Sequence, residues 1–131
     1  MAGAHFLQPL LAPRAPAARL VNCSRHITLA GRVEAAFDSR TRRRGLLGRQ
    51  TLATDAVLAI APSNAIHTFG MQFSIDVLFV GRDGRVMKRA LAMKARRISA
   101  ALRAFAVLEF AAGHPGVACT RVGDQLAVET D

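Results

Sequence analysis

The stretch "IHTFGMQFSIDVLFVGRDGRV", residues 66–86, decides the fold, because every odd position from Phe69 to Phe79 within it is apolar. Such strict alternation is typical of a β-strand that packs one face against a core. The Asp83-Gly84 pair that follows is the chemistry of a tight hairpin turn, since glycine readily adopts a positive φ. We therefore predict a strand, a turn and a return strand from Val86 to Met93.

This stretch is too long to form one straight strand. The 15 residues from Ile66 to Val80 would extend roughly 50 Å at about 3.3 Å per residue, whereas a spherical domain of this length is roughly 36 Å across. Gly70 is the only glycine in that range, so we place a bend or bulge there. The bend allows His67 to leave the core face and to join the face of Asp76.

The rest of the chain is also rich in short strands. Apolar or alternating runs between turn residues predict strands within residues 18–24, 26–37, 55–61, 86–93, 105–113 and 125–130. Asp38 or Ser39 is expected to cap a short helix, and residues 94–104 are expected to form an irregular connection. We predict a mainly β (β-rich α+β) fold, a small barrel-like antiparallel or mixed sheet with one or two short helices.

Length and composition are those of one ordinary folded domain. The chain has 131 residues, of which 51% are hydrophobic, enough to bury a core. Residues 1–19 are broken by three prolines and lack a basic start before their apolar part, so we interpret them as a flexible leader before one domain over residues 20–131. No run of 18 apolar residues predicts a membrane span, and we expect a cytoplasmic protein.

The chain is strongly basic, with a net charge of +9 that comes mainly from arginine. Arg40, Arg42, Arg43 and Arg44 lie close together, which suggests a surface for RNA or for an acidic membrane. On a helix Arg40, Arg42, Arg43 and Arg49 point to different sides, and the chain has no Trp or Tyr to stack on bases. An RNA- or membrane-surface accessory role is therefore an alternative, not the main prediction.

Two carboxylates interrupt apolar patterns. Glu109 shares its face with apolar residues of the same predicted strand, so burial would cost several kcal/mol unless a cation or a proton neutralises it. Asp76 is expected to be partly buried. Arg49 and His67 are the candidate partners. We predict that Arg49, His67, Asp76 and Glu109 meet in a cleft, near His67 and Asp76, that binds a small polar ligand or a protein partner.

Two alternatives explain the same residues. In the first, the carboxylates are purely structural and form ion pairs or cap backbone groups. In the second, the protein is a hydrolase in which His67 is the general base and Asp76 orients it. Against the second, the nearby Ser63, Thr68 and Ser74 sit in no recognisable nucleophile motif.

We expect no metal and no cofactor. A site made of His67, Asp76 and Glu109 is chemically allowed, but the sequence has no paired histidines at a ligand spacing. Cys23 and Cys119 lie 96 positions apart, without the close pairing of a zinc or redox motif. We interpret them as two small buried thiols.

Four segments together resemble a known family. They are "RRRGLLGR" (42–49), "IHTFGMQFSIDVLFVGRDGRV" (66–86), "VLEFAAG" (107–113) and "VGDQL" (122–126). In order and spacing they are similar to the bacterial and archaeal family called domain of unknown function 192, over about residues 20–128.

This resemblance implies a small β-rich domain and supplies no reaction, since no activity is established for the family as a whole. The positions that match the family pattern are Arg49, His67, Met71, Asp76, Glu109, Gly113 and Asp124. Met71, Gly113 and Asp124 are interpreted as core filler and turn residues. The remaining four are the residues already selected from the interrupted patterns.

Overall fold

The computed structural model describes residues 4–11 and 17–130. These residues contain one 3-10 helix, Gln8–Leu11, and two α-helices, α1 (Ser39–Arg44) and α2 (Pro115–Cys119). The strands are β1 (Ala18–Asn22), β2 (Ile27–Ala30), β3 (Arg32–Ala36), β4 (Ala56–Ile60), β5 (Ala65–His67), β6 (Ile75–Val80), β7 (Val86–Met93), β8 (Ile98–Ala100), β9 (Ala106–Ala111) and β10 (Leu126–Thr130).

The strands form three sheets. The largest has the order β3-β4-β9-β6-β7, in which β3 and β4 run parallel and the other pairs antiparallel. A second sheet has the order β10-β1-β2, and β5 pairs with β8 as a two-stranded ribbon. The predicted β-rich fold with short helices is confirmed. Within the described ranges the sheets remain open and do not close into a barrel.

Apolar side chains cover both faces of the five-stranded sheet. On β6, the odd positions from Ile75 to Phe79 belong to one buried cluster, whereas Leu78 and Val80 belong to the other. The predicted alternation is present, but the face expected to be more polar is core as well. Asp76 is therefore only 4% exposed, and the prediction of partial burial was wrong.

The predicted bend is confirmed. β5 ends at His67, and Gly70 has a φ of +81° in the connection before β6 begins, a conformation that glycine adopts without steric cost. The return strand has the predicted bounds, Val86–Met93. As a consequence of the bend, His67 lies in the two-stranded ribbon and Asp76 in the five-stranded sheet.

Part of the predicted flexible leader has a definite structure. Residues 4–11 pack against the first core cluster, in which Leu7 is fully buried. These few apolar residues show no periodic pattern, so the sequence alone did not separate them from the rest of the leader. Residues 1–3 and 12–16 lie outside the described residues.

The segment predicted as an irregular connection contains a strand. β8 pairs with β5, with Ala65 opposite Ala100 and His67 opposite Ile98. The sequence around β8 is basic and rich in alanine, and its apolar and polar residues do not alternate. Its extended conformation therefore comes from pairing with a distant strand, which local patterns do not predict.

Two further expectations concern membrane spans and cysteines. In residues 4–11 and 17–130, no helix has both the length and the apolar character needed to cross a bilayer. Cys23 and Cys119 are free and exposed, so the prediction of buried thiols was wrong. Cys23 directly follows β1 in a turn, and Cys119 is the last residue of α2, so neither faces the core.

Candidate functional site

Glu109 lies inside the five-stranded sheet. It is on β9, opposite Leu58 of β4 and Val77 of β6, so neighbouring strands flank it on both sides. Its side chain is 3% exposed, and its Oε1 atom is buried without a hydrogen-bond partner among the described residues. The prediction that this carboxyl loses contact with water is confirmed.

The environment of Glu109 changes its acidity. Burial raises its pKa to about 7, because the charged form has lost its hydration, and the positive charge of Arg49 acts in the opposite direction. Near neutral pH the group is therefore present in both protonation states. When protonated, it can donate one hydrogen bond and still accept others.

Arg49 makes its direct contacts with another carboxylate. Its Nη1 donates to Oε2 of Glu34 at 3.1 Å and its Nη2 donates to Oε1 at 2.9 Å. The two side chains are 37% and 32% exposed. The guanidinium group thus forms a two-pronged ion pair with β3, and it influences Glu109 through its charge.

Sequence reasoning missed Glu34. A usable signal was present, since this carboxylate stands between Val33 and Ala35 in a predicted strand, as Glu109 stands among apolar residues in its own strand. The sequence did not indicate that β3 pairs in parallel with β4. This pairing places Glu34 directly opposite Leu58.

Helix α1 and the loop after it hold this region together. Asp38 caps the helix as predicted, with its Oδ1 accepting from the Thr41 N–H at 2.8 Å. The helix ends at Arg44 and is capped by Gly45, which has a φ of +50° and donates its N–H to the Thr41 carbonyl at 2.9 Å. Gly45 passes close to Glu109, because a Cβ atom built on it would lie 3.7 Å from Oε1.

A pocket of about 260 Å³ opens between α1 and the strands β3 and β4, here named the α1 pocket. Arg44 and Arg49 contribute positive charge to its wall, Glu34 contributes negative charge, and Thr41 contributes a hydroxyl group. The other lining residues are Ala35, Ala36, Gly45 and Leu58. Glu109 does not line the pocket itself, but it pairs with Leu58 and its unpaired oxygen lies close to Gly45, and both of these residues line the pocket.

Asp76 has a structural arrangement. Its Oδ1 accepts from the Ala92 N–H at 2.8 Å, and its Oδ2 accepts from the N–H groups of Gly113 and His114 at 3.1 and 3.2 Å. Asp76 therefore connects β6 to an irregular part of β7 and to the residues just before α2. This is the backbone-capping alternative for the predicted carboxylates.

His67 lies apart from this carboxylate. It is exposed on β5, and its ring lies 5.7 Å from the ring of Phe69. The structure gives no hydrogen bond or ion pair between His67 and Asp76, both of which are in the described part of the chain. Of the four predicted residues, Arg49 thus acts on Glu109 through its charge, and neither His67 nor Asp76 lines the α1 pocket. The geometry offers no support for His67 as a general base.

The arginines of α1 do not form one surface. Arg42 donates from Nη1 to the Pro62 carbonyl at 3.0 Å, whereas Arg44 lines the α1 pocket. Arg40 and Arg43 are exposed and line no part of it. This agrees with the scatter of directions predicted from the helical period.

Asp124, another position of the family pattern, stabilises a turn. Desolvation favours a raised pKa for this carboxyl, but hydrogen bonds from Arg25, Asn22 and the Arg121 N–H outweigh it and lower the pKa to about 2. The Nε atom of Arg25 donates to its Oδ2 at 2.6 Å. The residue is 7% exposed. Its Oδ2 also accepts from the Asn22 side-chain amide at 3.0 Å, which connects the end of β1 to the turn before β10.

Comparison with known proteins places the chain among uncharacterised relatives. A model of domain of unknown function 192, described as "Uncharacterized ACR", matches residues 21–128. A crystal structure from Sinorhizobium meliloti, provisionally described as a transcription regulator, is 24% identical, with a TM-score of 0.72 over 85% of this chain and 91% of that one. A protein of unknown function from Novosphingobium aromaticivorans is 21% identical, with a TM-score of 0.71 over 95% and 99%. No curated protein matches. The likeness to these two solved structures establishes the fold alone.

Proposed function

This chain belongs to the family called domain of unknown function 192, and we propose that it binds a small polar ligand in the α1 pocket. The observation that carries the proposal is Glu109, whose Oε1 is buried and unpaired beside that pocket. Folded proteins pair nearly all of their buried polar atoms. An unpaired carboxyl oxygen next to an open pocket is therefore a position at which a ligand supplies the missing partner.

The charges of the pocket define the chemistry of the ligand. Arg44 lines it and forms no ion pair within the described ranges, whereas Arg49 is already paired with Glu34. An anionic group of the ligand would bind Arg44. A hydroxyl or amine of the same molecule would then reach past Gly45 to Glu109. The expected ligand carries both kinds of group.

The size of the pocket limits the ligand further. A volume of about 260 Å³ corresponds to roughly nine water molecules at their liquid volume. It is smaller than the pockets of about 300–1,000 Å³ that hold drug-sized ligands. This favours a molecule of the size of an amino acid or a hydroxy acid.

Three probes separate the two halves of this chemistry. Serine carries a carboxylate together with a hydroxyl and an amine, glycerol carries hydroxyls alone, and inorganic phosphate carries anionic charge alone. In an NMR titration we expect millimolar serine to shift the amide signals of Thr41, Gly45 and Arg49 at a lower concentration than the other two probes. If none of the probes shifts these amides, the proposal is wrong.

A pair of neighbouring arginines provides a matched test. Arg44→Ala is expected to weaken serine binding by about tenfold, since a hydrogen bond to a charged group contributes about 1.5 kcal/mol or more. Arg43→Ala removes the same side chain from the same exposed helix but from outside the pocket, and we expect no change. Equal losses in the two variants would mean that the arginines act through net charge and not through the α1 pocket.

The RNA alternative rests on net charge. The salt dependence of binding distinguishes it from ligand binding in the α1 pocket. Binding through the arginines at positions 40 and 42–44 would weaken steeply from low to moderate salt for any RNA probe. Arg42, however, is held by the Pro62 carbonyl and Arg44 faces the pocket, so the four do not act together. We therefore expect ligand binding in the α1 pocket to change little with salt.

A further inference from the structure

A groove of about 400 Å³ lies between β7 and β8, here named the β7–β8 groove. Its walls are residues 90–94, at the end of β7 and just beyond it, and residues 97–99, at the start of β8 and just before it. None of these residues lines the α1 pocket. The groove is therefore a separate surface, independent of the proposed function.

Two strand edges border this groove. β7 is the outermost strand of the five-stranded sheet, and β8 pairs on one side only, with β5. The chain passes directly from β7 to β8, but the two strands form no ladder with each other. Lys88 of β7 donates from Nζ to the Ala100 carbonyl of β8 at 2.9 Å. The other backbone groups along these two edges have no ladder partner among the described residues, so an extended peptide can pair with them.

The groove combines exposed aliphatic side chains with small residues. Ile98 is 72% exposed and Leu91 is 40% exposed, and both line the groove beside Ala90 and Ala92. Natural edge strands are usually protected by charges at such positions. The Ala92 N–H donates to Asp76 at 2.8 Å, so a buried carboxylate fixes the shape of this edge.

The charges along the groove have one sign. Lys94 and Arg97 line it, and Arg96 is exposed between them. None of the three forms an ion pair with a carboxylate in the part of the chain that the structure describes. None of the described residues that line the groove is acidic. An occupant with negative charges would complement it.

We propose that the β7–β8 groove binds an extended segment of a partner protein in which aliphatic residues alternate with aspartate or glutamate. The backbone of that segment pairs with a strand edge. Its aliphatic side chains contact Leu91 and Ile98, and its carboxylates, on the opposite side of the strand, pair with the cations of the 94–97 turn. A nucleic acid matches the charge but neither the strand edges nor the aliphatic wall.

Synthetic peptides test this inference. The probe is a peptide of about eight residues that alternates valine and glutamate, with both ends blocked. We expect it to shift the amide signals of residues 90–99 and to leave Gly45 unchanged, which separates it from ligand binding in the α1 pocket. A valine-lysine peptide should not bind. Methylation of alternate backbone nitrogens of the acidic peptide should weaken its binding at least tenfold, because the peptide can then no longer pair as a strand.

Two exposed aliphatic residues give a matched pair of variants. Ile98→Glu is expected to weaken binding of the acidic peptide at least tenfold, because it places a negative charge in the groove. Leu102→Glu adds the same charge at a position that is 85% exposed and outside the groove, and we expect less than a twofold change. Equal losses in both variants, unchanged binding of the methylated peptide, or displacement of the peptide by a mixed-sequence DNA duplex would each overturn the proposal.

Discussion

Replacement of Asp76 by alanine is expected to lower the free energy of unfolding by about 3–5 kcal/mol. Three backbone N–H groups, those of Ala92, Gly113 and His114, would lose their shared acceptor. A buried donor left unpaired costs about 1–3 kcal/mol. Ala92 and Gly113 are exposed residues, so their N–H groups can bond water instead, and we expect less than the full sum of the three. Urea unfolding followed by circular dichroism measures the loss.

The controls separate a structural role of Asp76 from a role in binding. His67→Ala removes the other residue of the predicted His67-Asp76 pair, but its ring is exposed, so we expect a change within about 0.5 kcal/mol. Asp76→Asn keeps one acceptor oxygen and should show an intermediate loss, which covers the case in which the alanine variant does not fold. A loss below about 1 kcal/mol for Asp76→Ala would contradict the structural account.

Replacement of Glu109 by glutamine is expected to make the protein more stable above neutral pH, by up to about 3 kcal/mol. The pKa of Glu109 is raised from 4.5 to about 7 in the folded state, and each pKa unit corresponds to about 1.4 kcal/mol. Glutamine has nearly the same shape and does not ionise. The variant therefore avoids the cost of a buried charge.

The pH window follows from the sign of this shift. Between pH 4.5 and about 7 the folded protein holds a proton on Glu109 that the unfolded chain has released. The contribution of this residue to stability is therefore fully present below the lower value and is lost as the pH rises through the window. We expect the difference between the natural protein and Glu109→Gln to grow from acid to neutral pH and then to become constant.

Comparison of variants isolates this effect from other titrations. His5, whose pKa is lowered by burial and by Arg82, is present in both proteins and cancels in the difference. Glu129→Gln serves as the control, because Glu129 forms an exposed ion pair with Arg19, and such pairs contribute about 0–1 kcal/mol. If the two glutamine variants showed the same pH dependence, Glu109 would not be the buried group that the structure indicates.

Sequence patterns predicted the parts of the fold that depend on neighbours along the chain. The β6–β7 hairpin, the bounds of β7, the bend at Gly70 and the Asp38 cap each depend on a local period or a single residue type. The burial of Glu109 was predictable as well, since apolar residues share its face of the strand and that face packs into the core. These features need no knowledge of which strands pair.

The errors came from contacts between distant segments. β3 pairs in parallel with β4, and this pairing places Glu34 in reach of Arg49. β8 is a strand because β5 lies beside it. Asp76 is fully buried because a second core cluster covers the face that the sequence marked as more polar. A single sequence contains no direct signal for any of these long-range pairings.

The most direct test of the account is the titration of the Glu109 carboxyl carbon by ¹³C NMR in the intact protein. We expect a midpoint near pH 7, because the group is buried without a hydrogen-bond partner among the described residues and the charge of Arg49 offsets only part of the cost. A midpoint near 4.5, the ordinary value of a glutamate side chain, would show that water or a fixed donor already satisfies the carboxylate. The α1 pocket would then lose the group on which its proposed function depends.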